Sequence, residues 1–375
     1  MIEKIKITNF KSIEELELDL GRVNVLIGEN GCGKTNILEG IGFAGSNTLG
    51  RGFHSIGGRS TEDTWYLSKT TKYPSDEILL TIADHKEKFS WVSRYDHHFR
   101  TLIHYHVYEG MRFPVGYHGP TELSGRTRND YGIAYIDLTS ALINSYLITA
   151  YRSYSIFCPE NTFLRRFEDE GQVEPLGIRG EGLFKELQKI IKNHPKKFKE
   201  IKEALKAIDW FEDLEIPEDL FIYEKRIRLK DRYLGSNPDV QFLDQRSANE
   251  GFLFLLFYFT LFVSDDTPKF FAIDNIDQAL NPLLCIKLMQ TLTEMAKKHE
   301  KQVIFTTHNP AILDGLDLED EKKDQRLFVV YRNAYGNTVA KRHSRKEGLK
   351  GVDPPRLSEG FIRGYIGGLP KNIEL

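Results

Sequence analysis

Cysteine is scarce in this chain, with three residues in 375. That is too few for a disulfide framework and suits a reducing compartment, so a cytoplasmic location is expected. The N-terminus, Met1 to Lys6, carries charges and no apolar h-region, which argues against a secretory signal. The most apolar run, Gly251 to Val263, is too short and too aromatic to span a bilayer and reads as buried core, so no membrane partner is expected. Charge of one sign is lacking too. Lys plus Arg (51) against Asp plus Glu (54) leaves a formal charge of -3, which removes global basicity as a sign of nucleic-acid binding and leaves only a local patch open. Sustained heptads, internal repeats and low-complexity tracts are also missing. With 40% hydrophobic and 28% charged residues, collagen-like, disordered and disulfide-scaffold classes are excluded. What is left is a globular chain long enough for two or three compact units, or one large two-lobed unit.

Its hydrophobic pattern alternates between strand and helix. Ile2, Ile5 and Ile7, then Leu16, Leu18 and Leu20, predict two short strands. Val23 to Ile27 is continuously apolar, as a strand buried on both faces would be. Residues 46 to 63 are rich in Gly, Ser, Thr and Arg and read as a loop, and Glu77 to Tyr108 reads as an antiparallel layer. Residues 183 to 208, interrupted at Pro195, carry apolar residues at helical spacing and predict two amphipathic helices. Strands at Lys269–Asp274, Gln302–His308 and Arg326–Arg332, with a helix over Leu283–Lys298, call for a parallel sheet flanked by helices.

Gly28-x-x-x-x-Gly33-Lys34-Thr35 matches the phosphate-binding P-loop in full, between a buried strand and a helix start. Small residues there let backbone N–H groups wrap a β-phosphate. Asn30, Gly31 and Asn36 belong to the same binding loop, Lys34 brings a point charge to the β- and γ-phosphates, and the Thr35 hydroxyl is a Mg²⁺ ligand. Cys32, inside the loop, reads as a small tolerated side chain. Such a site needs a second anchor, an acid at the end of an apolar strand, and Phe270 to Ile273 deliver Asp274 as the expected second Mg²⁺ ligand. A third element is His308, at the carboxyl end of Val303 to Thr307, placed to sense a γ-phosphate.

These residues together resemble ABC-type ATPases of the SMC, RecF and OLD kind. Asn9-Phe10-Lys11-Ser12 is similar to the segment that opens such heads near the nucleotide, which implies that Asn9 and Lys11 bind it. Thr307-His308-Asn309-Pro310 resembles the switch-histidine loop, and Asn275 to Pro282 the D-loop stretch. The resemblance covers residues 1 to 45 and about 245 to 332. It implies ATP with Mg²⁺ and a dimer in which a signature segment reaches the partner's γ-phosphate. Arg246 to Gly251 stands in that place; the family's Ser before an acid-Gly or Gly-Gly pair is replaced by Asn249, so that either Ser247 or Asn249, ahead of Gly251, is the residue that donates to phosphate. Most ABC ATPases also follow the Walker B acid with a catalytic glutamate, where this chain has Asn275. An amide cannot accept a proton, and losing a general base costs ~10²–10⁴ in rate. Asp277, two residues on, is the candidate substitute; without it, slow turnover is expected.

No coiled coil fills the interval between Lys34 and Asp274, which argues against a cohesin-like arm. The stretch after His308 is too short for the TOPRIM nuclease domain of OLD proteins, so any nuclease is expected to be a separate polypeptide. Lys185, Lys189, Lys192, Lys196, Lys197, Lys199, Lys202 and Lys206, with Lys225, Arg226, Arg228, Lys230 and Arg232, form a basic lobe that either tracks duplex DNA or is a solvated face. His97, His98, His104 and His106 cluster without a cysteine or firm carboxylate, and metal is the minor reading there. Glu160 or Asn161 stands at the water-sensing Q-loop position. Gly364 to Pro370 reads as a strand packed on the head, or as a docking strip.

The expected fold is an α/β P-loop NTPase, an ABC-type ATPase head with two lobes. Residues 1–145 would form lobe I with the Walker A loop and a β-rich insertion, 146–262 a helical signature lobe with the basic patch, 263–340 the Walker B and switch-histidine part of the core, and 341–375 a tail. The resemblance extends to ATPase subunits of anti-phage systems such as Septu, PARIS or retron-associated modules. It implies an ATP-sandwich homo-oligomer controlling a separate effector such as a nuclease. A RecF-like DNA-repair ATPase and an ATP-bound scaffold without turnover are the rivals.

Overall fold

The computed structural model describes residues 1–48, 77–83, 89–96, 101–108, 111–118, 153–167, 175–217, 225–234, 242–318, 324–344 and 356–367. In chain order they begin with β1 (Lys4–Phe10), β2 (Ile13–Asp19), β3 (Val23–Ile27) and α1 (Lys34–Thr48). There follow β4 (Glu77–Ala83), β5 (Phe89–Asp96), β6 (Thr101–Tyr108), β7 (Met111–His118) and β8 (Ile156–Phe157). The next elements are α2 (Asn161–Arg165), α3 (Leu183–Asn193), α4 (Pro195–Leu205), β9 (Phe211–Glu215), β10 (Arg228–Asp231), β11 (Phe242–Leu243) and α5 (Glu250–Val263). The last are β12 (Phe270–Ile273), α6 (Pro282–Lys298), β13 (Gln302–Thr307), β14 (Gln325–Arg332), β15 (Thr338–His343) and α7 (Leu357–Ile362).

The central sheet has the order β15-β14-β3-β13-β12-β8. It is parallel except for β15, which pairs antiparallel with β14 at one edge. Period-two alternation divides its side chains between two cores. Val25, Ile27, Phe271, Ile273, Val303 and Phe305 face a core shared with α3 to α6. Leu26, Phe270, Ala272 and Ile304 face the other core, with β1, β2 and α1. Burial on both faces explains the near-continuous apolar sequences of β3, β12 and β13. The polar exception, Asn24, is fully buried and satisfied: Oδ1 accepts from the Gly21 N–H at 2.8 Å, and Nδ2 donates to the carbonyls of Gly21 at 2.9 Å and Val303 at 3.0 Å.

A second sheet, β2-β1-β4-β5-β6-β7, is antiparallel throughout. It covers the antiparallel layer expected over residues 77 to 108 and continues into β7. A third, β11-β10-β9, belongs to the helical side. There α5 is buried along nearly its whole length, and Phe252, Phe254, Phe257, Phe259 and Phe262 are no more than 1% exposed. Truncating one of these rings to alanine would cost about 3–5 kcal/mol. Among the described residues no helix is long and apolar enough to cross a membrane.

Two expectations change. Residues 46 to 48 of the predicted loop are instead the end of α1, which runs to Thr48, and the rest of that loop lies outside the described residues. The buried residues Ile37, Leu38, Ile41 and Phe43 anchor the helix on the β1 side, and that packing outweighs the poor helix propensity of Gly, Ser and Asn. The strand predicted at 364–370 is replaced, over its described part, by the turn after α7. That helix is fastened by Ser358, whose N–H and Oγ donate to the Asp314 carboxylate at 2.9 and 2.6 Å. The lobe boundaries at 145 and 262 do not separate the central sheet, since β3, β8 and β12 come from three of the four expected spans.

Candidate functional site

Past Ile27 the chain wraps a cradle that only glycine tolerates. A Cβ on Gly28 would sit 2.1 Å from the Val330 carbonyl oxygen, and one on Gly33 would sit 2.1 Å from Thr338 Oγ1. Gly33 also has φ of 106°, in the left-handed region. Lys34 follows at the helix start, almost fully buried. Its Nζ donates to the carbonyls of Gly28 at 2.9 Å and Glu29 at 3.0 Å and lies 3.4 Å from His308 Nδ1. Burial pushes the Lys34 ammonium below its ordinary range. His308 is pushed down as well, first by burial and then by the Lys34 charge, so its imidazole is mostly neutral at pH 7.

Strand β12 presents Asp274 from the opposite side. Thr35 Oγ1 donates to Asp274 Oδ2 at 3.1 Å, the Thr306 hydroxyl donates to Oδ1, and Thr306 Oγ1 accepts from the Asn275 N–H at 2.8 Å. A hydroxyl and a carboxylate in contact are the hard oxygen donors that Mg²⁺ takes, with its remaining positions left to water and phosphate. The P-loop cradle and this donor pair therefore fit Mg²⁺ with a polyphosphate. Between them opens a cavity of about 280 Å³, lined by Gly31, Gly33–Asn36, Asp274, Asn275, His308 and Arg332. Among the described residues no cluster of His, Cys, Asp and Glu could hold a metal ion by itself. His97 and His98 lie outside the described residues, as do the side chains of His104 and His106 on β6.

Asp277 takes a different place from Asn275. Its Oδ1 accepts from Thr307 Oγ1 at 2.6 Å, and it is not part of the cavity wall. Its charge is nonetheless felt at both Lys34 and His308. Asn275 and Ala279 have φ of 56° and 60°, so the turn between them carries backbone strain of order 1–3 kcal/mol per residue.

Several sequence candidates lie off the cavity. Asn9 and Lys11 flank Phe10 in left-handed backbone, and Lys11 turns to an ion pair with Glu39 on α1, with both side chains 7% exposed. Ser247 is exposed after the turn made by Asp244, whose Oδ1 accepts from the Arg246 and Ser247 N–H groups at 3.0 Å. Asn249, also exposed, caps α5 by accepting from the Phe252 N–H at 2.8 Å. A Cβ on Gly251 would come within 3.0 Å of the Ala279 carbonyl oxygen, so the signature helix starts against the D-loop. Glu160 is exposed, and Asn161 accepts from Arg165 Nε at 2.7 Å. The cysteine thiols are raised, chiefly by burial; Cys285 is pushed up to about 12, and Cys32 and Cys158 are also raised. None has the low pKa of a reactive thiol.

The residues that local motifs do not announce come from the β14–β15 hairpin. Asn36 Nδ2 donates to Ser12 Oγ at 2.7 Å, Ser12 Oγ meets Thr338 Oγ1 at 2.7 Å, and Thr338 Oγ1 donates to the Cys32 carbonyl at 3.0 Å. Thr338 N–H also donates to the Ser12 carbonyl at 2.7 Å. The hairpin thus braces the P-loop from outside and joins it to the Asn9–Ser12 turn. The basic lobe is laced with acids: Lys197–Asp265 at 2.6 Å, Lys202–Asp213 at 2.7 Å, Lys206–Glu203 at 2.8 Å and Lys230–Glu212 at 2.8 Å, with Lys189 on Asp266. Paired lysines present a weaker field to a phosphate backbone than their number suggests.

Two family models match the chain. One, described as "AAA ATPase domain", covers residues 1–89; the other, described as "AAA domain, putative AbiEii toxin, Type IV TA system", covers residues 136–314. The chain is 46% identical over 52 residues to a DNA double-strand break repair Rad50 ATPase of Saccharolobus solfataricus, which spans 14% of this chain and 6% of that one. It is 46% identical over 43 residues to a DNA replication and repair protein RecF of Paenarthrobacter aurescens, 11% of each chain. Among solved structures, an SMC head domain from Thermotoga maritima superimposes with a TM-score of 0.53 at 15% identity, covering 92% of this chain and 99% of that one. An Smc head bound to the C-winged helix domain of ScpA gives 0.56 at 17% identity, covering 92% and 98%. The fold is that of an SMC head, and the family matches support an ABC-type ATPase of the SMC, Rad50 and RecF kind.

Proposed function

We propose that this ABC-type ATPase head binds ATP with Mg²⁺, closes as a homodimer around it, hydrolyses it slowly and controls a separate effector protein in anti-phage defence. The observation that carries the reading is the convergence of Lys34, Thr35, Asp274 and His308 on one cavity from elements some 240 to 270 residues apart in sequence. Bound at Thr35 and Asp274, Mg²⁺ would offset the charge on the β- and γ-phosphate oxygens. The chain's own residues do the rest. Lys34 supplies charge to the phosphates and the N-terminus of α1 offers its N–H groups. His308, mostly neutral at pH 7, offers a ring nitrogen to the terminal phosphate. Asn275 can orient a water by hydrogen bonding but cannot take its proton, which supports slow turnover.

Dimerisation is supported by the exposed signature segment, which does not line the cavity of its own chain. A defence setting is supported by the family description naming a type IV TA system toxin, and a protein partner by the solved Smc head bound to a ScpA domain. A DNA-repair role draws on the printed names of the Rad50 and RecF relatives. The scaffold reading draws on Asn275 alone. Duplex DNA is the weaker partner, given the paired lysines of the basic lobe.

Sedimentation with and without Mg-ATP, alongside phosphate release, tests the core of the reading. ATP-dependent self-association that Lys34→Ala abolishes is expected. A monomer at micromolar concentration with saturating Mg-ATP would remove the sandwich.

A further inference from the structure

Two basic side chains line the cavity, Lys34 and Arg332. The reading above uses only the first. Arg332 ends β14 and is half-buried, with Nε donating to the Gly31 carbonyl at 3.2 Å and Nη1 to the Gly336 carbonyl at 2.8 Å. Two backbone carbonyls, one in the P-loop and one in the hairpin turn, hold the guanidinium plane, so less side-chain freedom is lost when its remaining donors meet an anion. Partial burial lowers its pKa from the ordinary arginine value.

Topology says which end of a nucleotide it would meet. β14 flanks β3 on the side away from β13 and β12. Thr35, Asp274 and His308, which fix the metal and the terminal phosphate, belong to the β12–β13 side. A phosphate chain that starts there and crosses the P-loop has its nucleoside end beside β14. We infer that Arg332 binds the α-phosphate of the nucleotide and sets how far the nucleoside end lies from the P-loop, a positioning role that rests on the ATP-binding reading above. A staple between P-loop and hairpin accounts for the two carbonyl bonds. It does not account for Arg332 lining the cavity.

Equilibrium binding of Mg-ATP and Mg-ADP to the full chain tests this, with the melting temperature of the nucleotide-free protein as a check on folding. Arg332→Gln is expected to weaken both nucleotides alike, by roughly tenfold to a hundredfold, as loss of one charge-assisted phosphate contact would. Unchanged affinities overturn the inference. So does a loss confined to ATP, which would place the guanidinium on the terminal phosphate instead. Should Arg332→Gln not fold, Arg332→Lys decides: it keeps the charge but breaks the two-carbonyl staple, so affinities for both nucleotides within several-fold of wild type are expected, whereas a loss of roughly tenfold to a hundredfold marks a mere staple. Wild-type protein that binds no Mg-ATP removes the ATP reading and the inference together. Binding that Lys34→Ala loses and Arg332→Gln keeps removes the inference alone.

Discussion

The P-loop pole and the signature pole of this molecule are built in opposite ways. At the P-loop, Lys34, Thr35, Asp274 and Thr306 are held by partners within the chain, and even the loop's backbone is braced by Thr338 and Arg332. At the signature pole Ser247 and Asn249 are exposed, and Asn249's side-chain oxygen is spent on capping α5. The first pole is preorganised; the second is left open, as the proposed dimer requires.

The strongest way to break this comparison is Lys34→Ala. It should lower ATP affinity at least about a hundredfold, since the charge sits in a nearly dry cradle, while the melting temperature stays close to wild type. Calorimetric titration checks it, and affinity within a few-fold of wild type would mean that the cradle is ornamental.

Mixing sharpens the comparison further. Lys34→Ala and Ser247→Ala proteins should each fail to self-associate with Mg-ATP. Their mixture should recover association with one intact site per dimer, because each supplies the pole that the other lacks. Recovery read by sedimentation supports two unlike poles, and none in the mixture would show that both belong to one cis site. Asn249→Ala should also cost about 1 kcal/mol of stability through the lost cap, a penalty that Ser247→Ala does not share.

The next effect is on rate. Asn275→Glu should raise phosphate release by tens-fold or more, because a carboxylate then faces the cavity. Asp277→Ala separates two ideas: loss of residual turnover marks Asp277 as the substitute base, and unchanged turnover marks a switch without one. The position of Asp277, bonded to Thr307 and away from the cavity wall, favours the second.

The smallest effect is on pH. The folded-state pKa of His308 lies below its unfolded value of ~6.5. Its contribution to stability is therefore present above ~6.5 and is lost as pH falls through the folded pKa. His308→Gln should flatten the acid limb of the melting-temperature profile below about pH 6.5. An identical acid limb in both proteins would show that the imidazole does not titrate differently on folding.

Much of the P-loop pole was legible in the sequence because its signals are local. Gly28 to Thr35 and the apolar runs that end at Asp274 and His308 each announce themselves within ten residues. What pairs with what was less so. Lys11 resembles a nucleotide ligand in its motif, yet the structure gives it to Glu39, one face of α1 away. Thr338 and Arg332 brace the P-loop from about 300 residues downstream, where no spacing rule reaches. The helix to Thr48 was hidden by its Gly-rich composition, because propensity is weaker than a buried face.

One consequence of the central sheet concerns time. Val23–Ile27 is synthesised before its two neighbours, β13 and β14, which follow about 280 and 300 residues later. At roughly 5–20 residues per second, the nascent P-loop strand waits on the order of 15–60 s with both edges unpaired. During that wait it is a five-residue apolar segment with open backbone donors and acceptors, a ready template for another nascent chain. The candidate site can therefore assemble only after β13 and β14 have joined β3.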